Sequence, residues 1–234
     1  QKAKIANQLG VEFKLIRLSS EMSEADVKKE IEKLNFDTSI GGIILQLPLP
    51  EKFKKENIIP SISPLKDIDA LTEGGKKLVS PLVVEVVNDI ICDTNIRMHT
   101  NDTNNTNEFL KDKVVAVVGR GFLIGAPLLE FFKDKCMKII PLNSKSDINL
   151  IKEADIIISG TGKPGLIKPE MLKNGAVMID FGYGLIDGKL KGDFDIHNSQ
   201  FIIHNSISYT PTPGGTGPIL VAEIFKNFYK LNSL

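Results

Sequence analysis

Cysteine is nearly absent, and both cysteines, Cys92 and Cys136, lie in or beside apolar runs. There they read as small core side chains rather than halves of a disulfide, which implies a reducing compartment. Net charge is absent too: 29 Lys and Arg balance 29 Asp and Glu. No overall field would draw this chain to nucleic acid or to an anionic membrane, so a small-molecule partner is expected. No apolar run reaches the roughly 20 residues of a membrane helix, and the first twenty residues lack the apolar core of a signal peptide. The expectation is a soluble, cytoplasmic protein, with an organelle left open. No G-x-S-x-G, H-E-x-x-H or C-x-x-C occurs, which argues against the common hydrolase, zinc and thiol-redox sites.

The 234 residues, 42% of them hydrophobic, suffice for two modest cores. Lys2 to Gly10 has helical spacing and a glycine stop but no helix-start signal, so the chain is expected to have lost an upstream segment. The alternation of Val11 to Leu18 predicts a strand, Ser23 caps a helix to about Asn35, and Gly41 to Gln46 predicts a buried parallel strand. From Pro48 to Pro81 the prolines, Gly74-Gly75 and Asp67-Ile-Asp69 predict an ordered active-site loop rather than a core element. Residues 82–92 are apolar enough for a helix.

The Asn- and Thr-rich stretch around His99 to Glu108 predicts a surface connection. Asn101 and Asn104 open glycosylation-type triplets, which a chain without a signal peptide has little use for. Beyond it, Val114–Val118, Met137–Leu142, Asp155–Ser159 and Ala176–Asp180 recur at the spacing of a doubly wound sheet. The last segment carries a stripe of Ile219, Ala222, Ile224, Phe225, Phe228 and Leu231, expected to dock as a helix. The boundaries implied are 1–92 plus 218–234 for one domain, 110–212 for the other, and 93–109 as connection.

Gly119, Gly121 and Gly125 follow a strand and precede a helix. Glycines there let backbone approach a pyrophosphate, and the helix start offers free N–H groups; the alternative is an ordinary tight turn. After the second strand, where NAD sites usually place an acid, stand Asn143-Ser144-Lys145. With Arg120 adjacent, these favour the 2′-phosphate of NADP over NAD. Thr161 and Gly162, after the third strand, could line a nicotinamide pocket or a plain turn. Thr210 to Pro218 is rigid and glycine-opened, fit for a ligand or for a linker. Asp193, Asp195 and His197 are of metal-binding type, but no second cluster supports them, and no metal is expected.

In order, these pieces resemble the methylenetetrahydrofolate dehydrogenase/cyclohydrolase family. The likeness is carried by Gly42-Ile-Ile-Leu-Gln-Leu-Pro-Leu-Pro50, Pro64-Leu-Lys-Asp-Ile-Asp69 and Val117-Val-Gly-Arg-Gly-Phe-Leu-Ile-Gly-Ala-Pro127. It continues through Ala154 to Pro164, Gly175 to Gly182, Gly192 to Asp195 and Thr212 to Pro218. The resemblance implies an α/β fold of two domains, a small parallel α/β catalytic domain and a Rossmann-like NADP-binding domain, with a folate cleft between them. It also implies a homodimer that takes tetrahydrofolate derivatives, while the balanced charge and the lack of a long apolar run leave no nucleic-acid or membrane partner expected.

By the same resemblance Lys2, Gln46 and Asp69 do the chemistry. Leu45, Leu47, Pro213, Gly214, Gly215, Thr216 and Gly217 bind substrate, and Gly119, Arg120, Gly121, Gly125, Ser144, Thr161, Gly162 and Tyr183 hold the dinucleotide. Chemically, an amine that is neutral for part of the cycle can activate water and shuttle its proton, a carboxamide can hold it without adding charge, and a carboxylate can accept pterin N–H groups.

Some residues depart from the family pattern. Its Tyr would precede Gln1. Pro81-Leu-Val-Val84 stands for Pro-Cys-Thr-Pro, Ala70 for a Gly, Gly121 for a Ser and Thr216 for a Val. Those departures leave open a catalytically impaired homologue that binds folate or dinucleotide as a module. A shikimate-type dehydrogenase is a further alternative, which leaves Gln46-Leu-Pro and Pro213-Gly-Gly unexplained.

Overall fold

The structure, a computed structural model, describes residues 1–19, 21–92 and 106–234. The chain divides into two compact units, Gln1–Leu82 with Leu220–Leu234, and Val83–Ile219. Asn101, Asn104 and most of the expected connection lie outside the described residues.

In the first unit, helices α1 (Lys2–Gln8), α2 (Glu24–Phe36) and α3 (Lys55–Ile58) are joined by irregular chain and turns. The expected start of α2 is met in full. Ser23 accepts from the Asp26 amide while Asp26 accepts from the Ser23 amide, a reciprocal cap. Residues 11–18, expected as a strand, form no regular element and are unpaired, with Phe13 and Leu15 exposed. Alternation alone does not make a strand, because a ladder needs a neighbour, and among the described residues none pairs with this segment. The strand expected over 41–46 is reduced to one parallel bridge, Ile43 to Asp67.

The proline-rich 48–81 segment is more than a loop. It folds into α3 and short 3-10 turns at Ile59–Ser61, Pro64–Lys66 and Gly75–Lys77. Its Ile58, Ile62, Ile68, Leu71 and Val79 are buried. Proline breaks long elements without preventing apolar side chains from reaching a core.

The second unit holds α4 (Leu82–Cys92, from its second residue), α5 (Thr106–Leu110), α6 (Gly125–Phe132) and α7 (Ser199–His204). Its five-stranded sheet is parallel throughout, in the order β2-β1-β3-β4-β7, from β1 (Val114–Val118), β2 (Lys138–Leu142), β3 (Ile156–Ser159), β4 (Val177–Asp180) and β7 (Ser208–Tyr209). All five residues of β1 are buried, as a central strand covered on both faces requires. Each Val or Ile so enclosed contributes roughly 1.5–3 kcal/mol. The hairpin β5 (Gly184–Ile186) and β6 (Lys189–Lys191) lies outside this sheet.

The chain leaves β1 to one side for β2 and returns to the other side for β3. That reversal between β1 and β3 is where open parallel sheets bind ligands, at the carboxyl ends of the strands.

Helix α8 (Thr216–Leu231) carries the chain back from the second unit to the first. Its buried face is Val221, Ile224, Phe225 and Leu231, whereas Ala222, expected inside, is exposed. Two polar residues share that face. Asn227 is buried because its Nδ2 donates to the carbonyls of Ile68 (3.1 Å) and Ser80 (3.2 Å), and Glu223 is ion-paired with Lys226.

The trio Asp193, Asp195 and His197 does not gather on one face. Asp193 is fully enclosed, and Asp195 pairs with His197. Among the described residues no group of His, Cys, Asp or Glu is placed to hold a metal ion, and no helix is long and apolar enough to cross a membrane.

Candidate active site

Two residues far apart in sequence meet in the first unit, and the charge of one of them reaches a third. Lys2, half-buried on α1, donates from Nζ to Oε1 of Gln46 at 2.8 Å, and Gln46 Nε2 donates to the Leu47 carbonyl at 3.0 Å. The carboxamide is therefore held at both ends, one by its own backbone and one by the amine. Asp69 keeps part of its surface open but is otherwise enclosed by protein. Burial pushes its carboxyl up to about 7; the Lys2 charge opposes that rise and the Asp67 charge adds to it.

The segment that presents Asp69 assigns a separate task to each polar residue. Lys66 Nζ donates to the carbonyls of Leu34 (2.8 Å) and Asp37 (2.7 Å), capping the C-terminal end of α2. Asp67, fully buried, accepts from the amides of Leu71 (3.0 Å) and Thr72 (2.7 Å) and closes the turn. Gly75 has no Cβ because one would overlap the Asp67 carboxylate. Ala70 takes a left-handed φ of 52°, which explains why a glycine suits that position. Asp69 has no such supporting bond among the described residues. None of these supporting roles was legible in the spacing, because each depends on chain folded back from elsewhere.

Of the other two first-unit candidates, Leu45 packs on the Val27, Ile31 and Ile43 cluster, while Leu47 flanks Gln46 with part of its surface open.

The second unit places its candidates along one edge of the sheet. Gly119 follows β1 with φ +99°, and a Cβ there would lie 3.1 Å from the Gly160 carbonyl, so the turns after β1 and β3 touch. A Cβ on Gly125 would overlap the Gly119 carbonyl, so only glycine lets α6 start this close to β1. Gly121 differs, because nothing lies within 4 Å of a Cβ built there. This turn, bare of side chains at its three glycines and opening on a helix start, fits a dinucleotide pyrophosphate. Arg120 beside it is exposed.

After β2, Asn143 organises a turn by accepting from the Lys145 amide (2.8 Å) and from Ser146 Oγ (3.3 Å). Ser144 and Lys145 are left exposed at its tip. After β3, Thr161 turns its hydroxyl inward to Asp193 at 2.9 Å, while Gly162 is exposed with φ +67°. Tyr183, after β4, is 65% exposed.

The 213–217 segment starts with Pro213 and leaves Gly214 and Gly217 exposed, Gly214 at φ +101°. The Gly215 amide donates to the Pro211 carbonyl at 2.8 Å. Thr216 is buried, and its hydroxyl donates to the Asp180 carbonyl at 2.8 Å, a bond that a Val there could not make. At the other departure from the family pattern, Val83 and Val84 are buried at the start of α4 and Leu82 packs on the Ile68, Ala70 and Val79 cluster.

Known proteins match this arrangement along its length. Residues 1–69 match the family model for the catalytic domain of tetrahydrofolate dehydrogenase/cyclohydrolase, and residues 98–233 match the model for its NAD(P)-binding domain. The bifunctional protein FolD of Clostridium tetani is 34% identical over 233 residues, covering 96% of this chain and 78% of that protein. That of Aquifex aeolicus is 33% identical over 242 residues, covering 98% and 77%.

Among solved structures, the bifunctional enzyme FolD from Campylobacter jejuni superposes with a TM-score of 0.83 at 27% identity, covering all of this chain and 82% of the other. The Trypanosoma brucei enzyme, solved with NADP and an inhibitor, gives 0.82 at 25% identity, covering 99% and 80%. The chain belongs to the tetrahydrofolate dehydrogenase/cyclohydrolase family.

Proposed function

We propose that this chain oxidises 5,10-methylenetetrahydrofolate to 5,10-methenyltetrahydrofolate with NADP as acceptor, and hydrolyses that product to 10-formyltetrahydrofolate. The observation that carries this reading is the 2.8 Å bond from Lys2 Nζ to Gln46 Oε1 in a family member whose other unit bears the glycine cradle. NADP, when bound, supplies the acceptor for the hydride that leaves the methylene carbon. The backbone of Gly119 to Gly125 would hold its pyrophosphate, and Arg120, Ser144 and Lys145 would face its 2′-phosphate. Gly162 and Tyr183 would flank its nicotinamide end.

In the first unit, Asp69 accepts hydrogen bonds from pterin N–H groups and so fixes the one-carbon unit. Lys2 then takes a proton from the water whose oxygen bonds to the cationic methenyl carbon; the N5–C bond of the resulting carbinol opens as its hydroxyl gives up a proton and N5 takes one, which leaves the formyl group on N10. Gln46 keeps the amine in place without a charge that would hold the proton on it. Leu45, Leu47, Pro213, Gly214, Gly215, Thr216 and Gly217 complete the folate site. The domain roles are catalysis for 1–92 with 218–234 and dinucleotide binding for 110–212. The enzyme works as a cytoplasmic homodimer, and its equal counts of acidic and basic residues give it no field for nucleic acid.

The test is purified protein with 5,10-methylenetetrahydrofolate and NADP, following reduced nicotinamide and, separately, loss of methenyl absorbance. Both signals are expected. NADP and a folate analogue that bind with no turnover would instead make the chain a binding module.

A further inference from the structure

Two carboxylates are buried at the C-terminal edge of the second unit's sheet, Asp180 at 2% exposure and Asp193 at 0%. Among the described residues neither is ion-paired; N–H donors hold Asp180, and N–H and O–H donors hold Asp193. Oδ2 of Asp193 accepts from Ser159 Oγ (2.5 Å), the Thr161 amide (2.7 Å) and Thr161 Oγ1 (2.9 Å), and Oδ1 accepts from the Lys163 amide (2.8 Å). The Asp193 carbonyl accepts from Ile167 (2.9 Å), and the Gly192 carbonyl from Gly165 (3.0 Å). Gly182 lies so close that a Cβ would overlap the Asp193 carboxylate. Asp180 accepts from the amides of Gly182 (2.8 Å) and Phe194 (2.9 Å), and burial pushes it up to about 6 against those bonds, with the Asp193 charge adding to the rise.

A buried carboxylate costs several kcal/mol unless its lone pairs are filled, and here filling them shapes one loop. The amides of residues 160–165 can be accounted for one by one. Gly160 donates to Val118, Thr161 and Lys163 to Asp193, and Gly165 to Gly192, while Pro164 has no N–H. Of these amides only that of Gly162 has no acceptor among the described residues, in an exposed residue with φ +67°. This loop touches the Gly119 turn at the reversal between β1 and β3.

We propose that Asp193 is a positioning residue for the dinucleotide. By taking up the Thr161 and Lys163 amides and the Thr161 hydroxyl, its carboxylate fixes the loop so that the Gly162 N–H is left to donate to the cofactor. The inference rests on the dinucleotide reading of this edge and adds to it the carboxylate that builds the loop.

Residue-resolved amide exchange on the wild-type protein, with and without saturating NADP, tests it without any variant. Thr161 and Lys163 are expected to be protected in both states, and Gly162 to exchange freely until NADP is added. Asp193→Asn replaces an all-acceptor group by one that presents N–H to N–H. It is expected to raise KM for NADP about tenfold while kcat and the folate KM stay within about twofold, a loss of ground-state cofactor binding. Ser159→Ala, which removes one hydroxyl and leaves both amide bonds, is expected to shift KM for NADP by less than about twofold.

Gly162 exchange that ignores bound NADP overturns the proposal, as does an Asp193→Asn variant that loses NADP and folate affinity equally. Calorimetry separates the two levels of failure. NADP that does not bind the wild-type protein removes the dinucleotide reading and this inference together, whereas NADP that binds without protecting Gly162 removes this inference alone.

Discussion

Lys2 and Gln46 lie 44 residues apart in sequence, yet the amine of one donates to the side-chain carbonyl of the other at 2.8 Å. A carboxamide is the polar group that can hold an amine there while leaving it free to give up its proton. Charge is what separates Gln from Glu in this position, since the two side chains have nearly the same shape.

Gln46→Glu is therefore expected to lower cyclohydrolase kcat by about 10²-fold, the scale of a lost general base, because the new carboxylate would form an ion pair with the amine proposed to take the proton from water. Hydride transfer needs no proton from Lys2 and should fall much less. Assaying the two activities separately on one preparation checks this. A variant that keeps half its cyclohydrolase activity would remove Lys2 from the water-activating role.

Asp69 gives a pH dependence with a definite sign. Its carboxyl stands near 7 in the folded protein against an ordinary value of 3.8. The folded state thus binds the extra proton between those values, and unfolding free energy falls as pH rises from about 4 to 7. The stabilisation is present at the acid end of that window and lost above 7. Asp69→Asn should flatten this slope in denaturant titrations at pH 5 and 8, while raising the folate KM at all pH values. In the wild type the folate KM should rise as pH falls below 7, because the protonated carboxyl no longer accepts two N–H groups. A folate KM independent of pH across that range would contradict the assignment.

Much of the second unit was legible because its signals are local and unconditional. Five contiguous β-branched or small residues, Val114 to Val118, have no stable home except a strand covered on both faces. A glycine pattern placed between such a strand and an apolar helix leaves few readings. The first unit was harder. Val11 to Leu18 alternates as a strand does, but alternation says nothing about whether a neighbour exists to pair with. Val221 rather than Ala222 faces the core, a single-position error that a helix of 3.6 residues per turn makes easy.

Lys66 and Asp67 stood in the sequence only as parts of a motif and a loop, and Asp193 as a residue of metal-binding type. They are instead buried or capping groups whose partners, the end of α2, the Leu71 and Thr72 amides and the Thr161 loop, come from the tertiary fold. The family resemblance supplied Lys2, Gln46 and Asp69, which no local pattern singles out.

Gly121 is open enough to be changed. Because nothing lies within 4 Å of a Cβ there, Gly121→Ser adds a hydroxyl to the turn without displacing backbone. One hydrogen bond to a charged phosphate is worth about 1.5–3 kcal/mol at most. The expected result is a KM for NADP lower by about three- to tenfold at unchanged kcat. An unchanged or higher KM would show that this position does not face the cofactor.

Thr216 opens α8 and is buried with its hydroxyl donating to the Asp180 carbonyl at 2.8 Å. Thr216→Val keeps the volume and removes the donor, so the carbonyl at the end of β4 loses a partner in a place water does not reach. The cost is expected at about 1–2 kcal/mol, the range for a buried acceptor left unsatisfied, read as a lower denaturant midpoint with an unchanged slope. Thr216→Ser keeps the hydroxyl and loses one methyl, and should restore most of that stability. If the Val variant is as stable as the wild type and the Ser variant is the weaker of the two, packing of the methyl and not the hydrogen bond is what this position contributes.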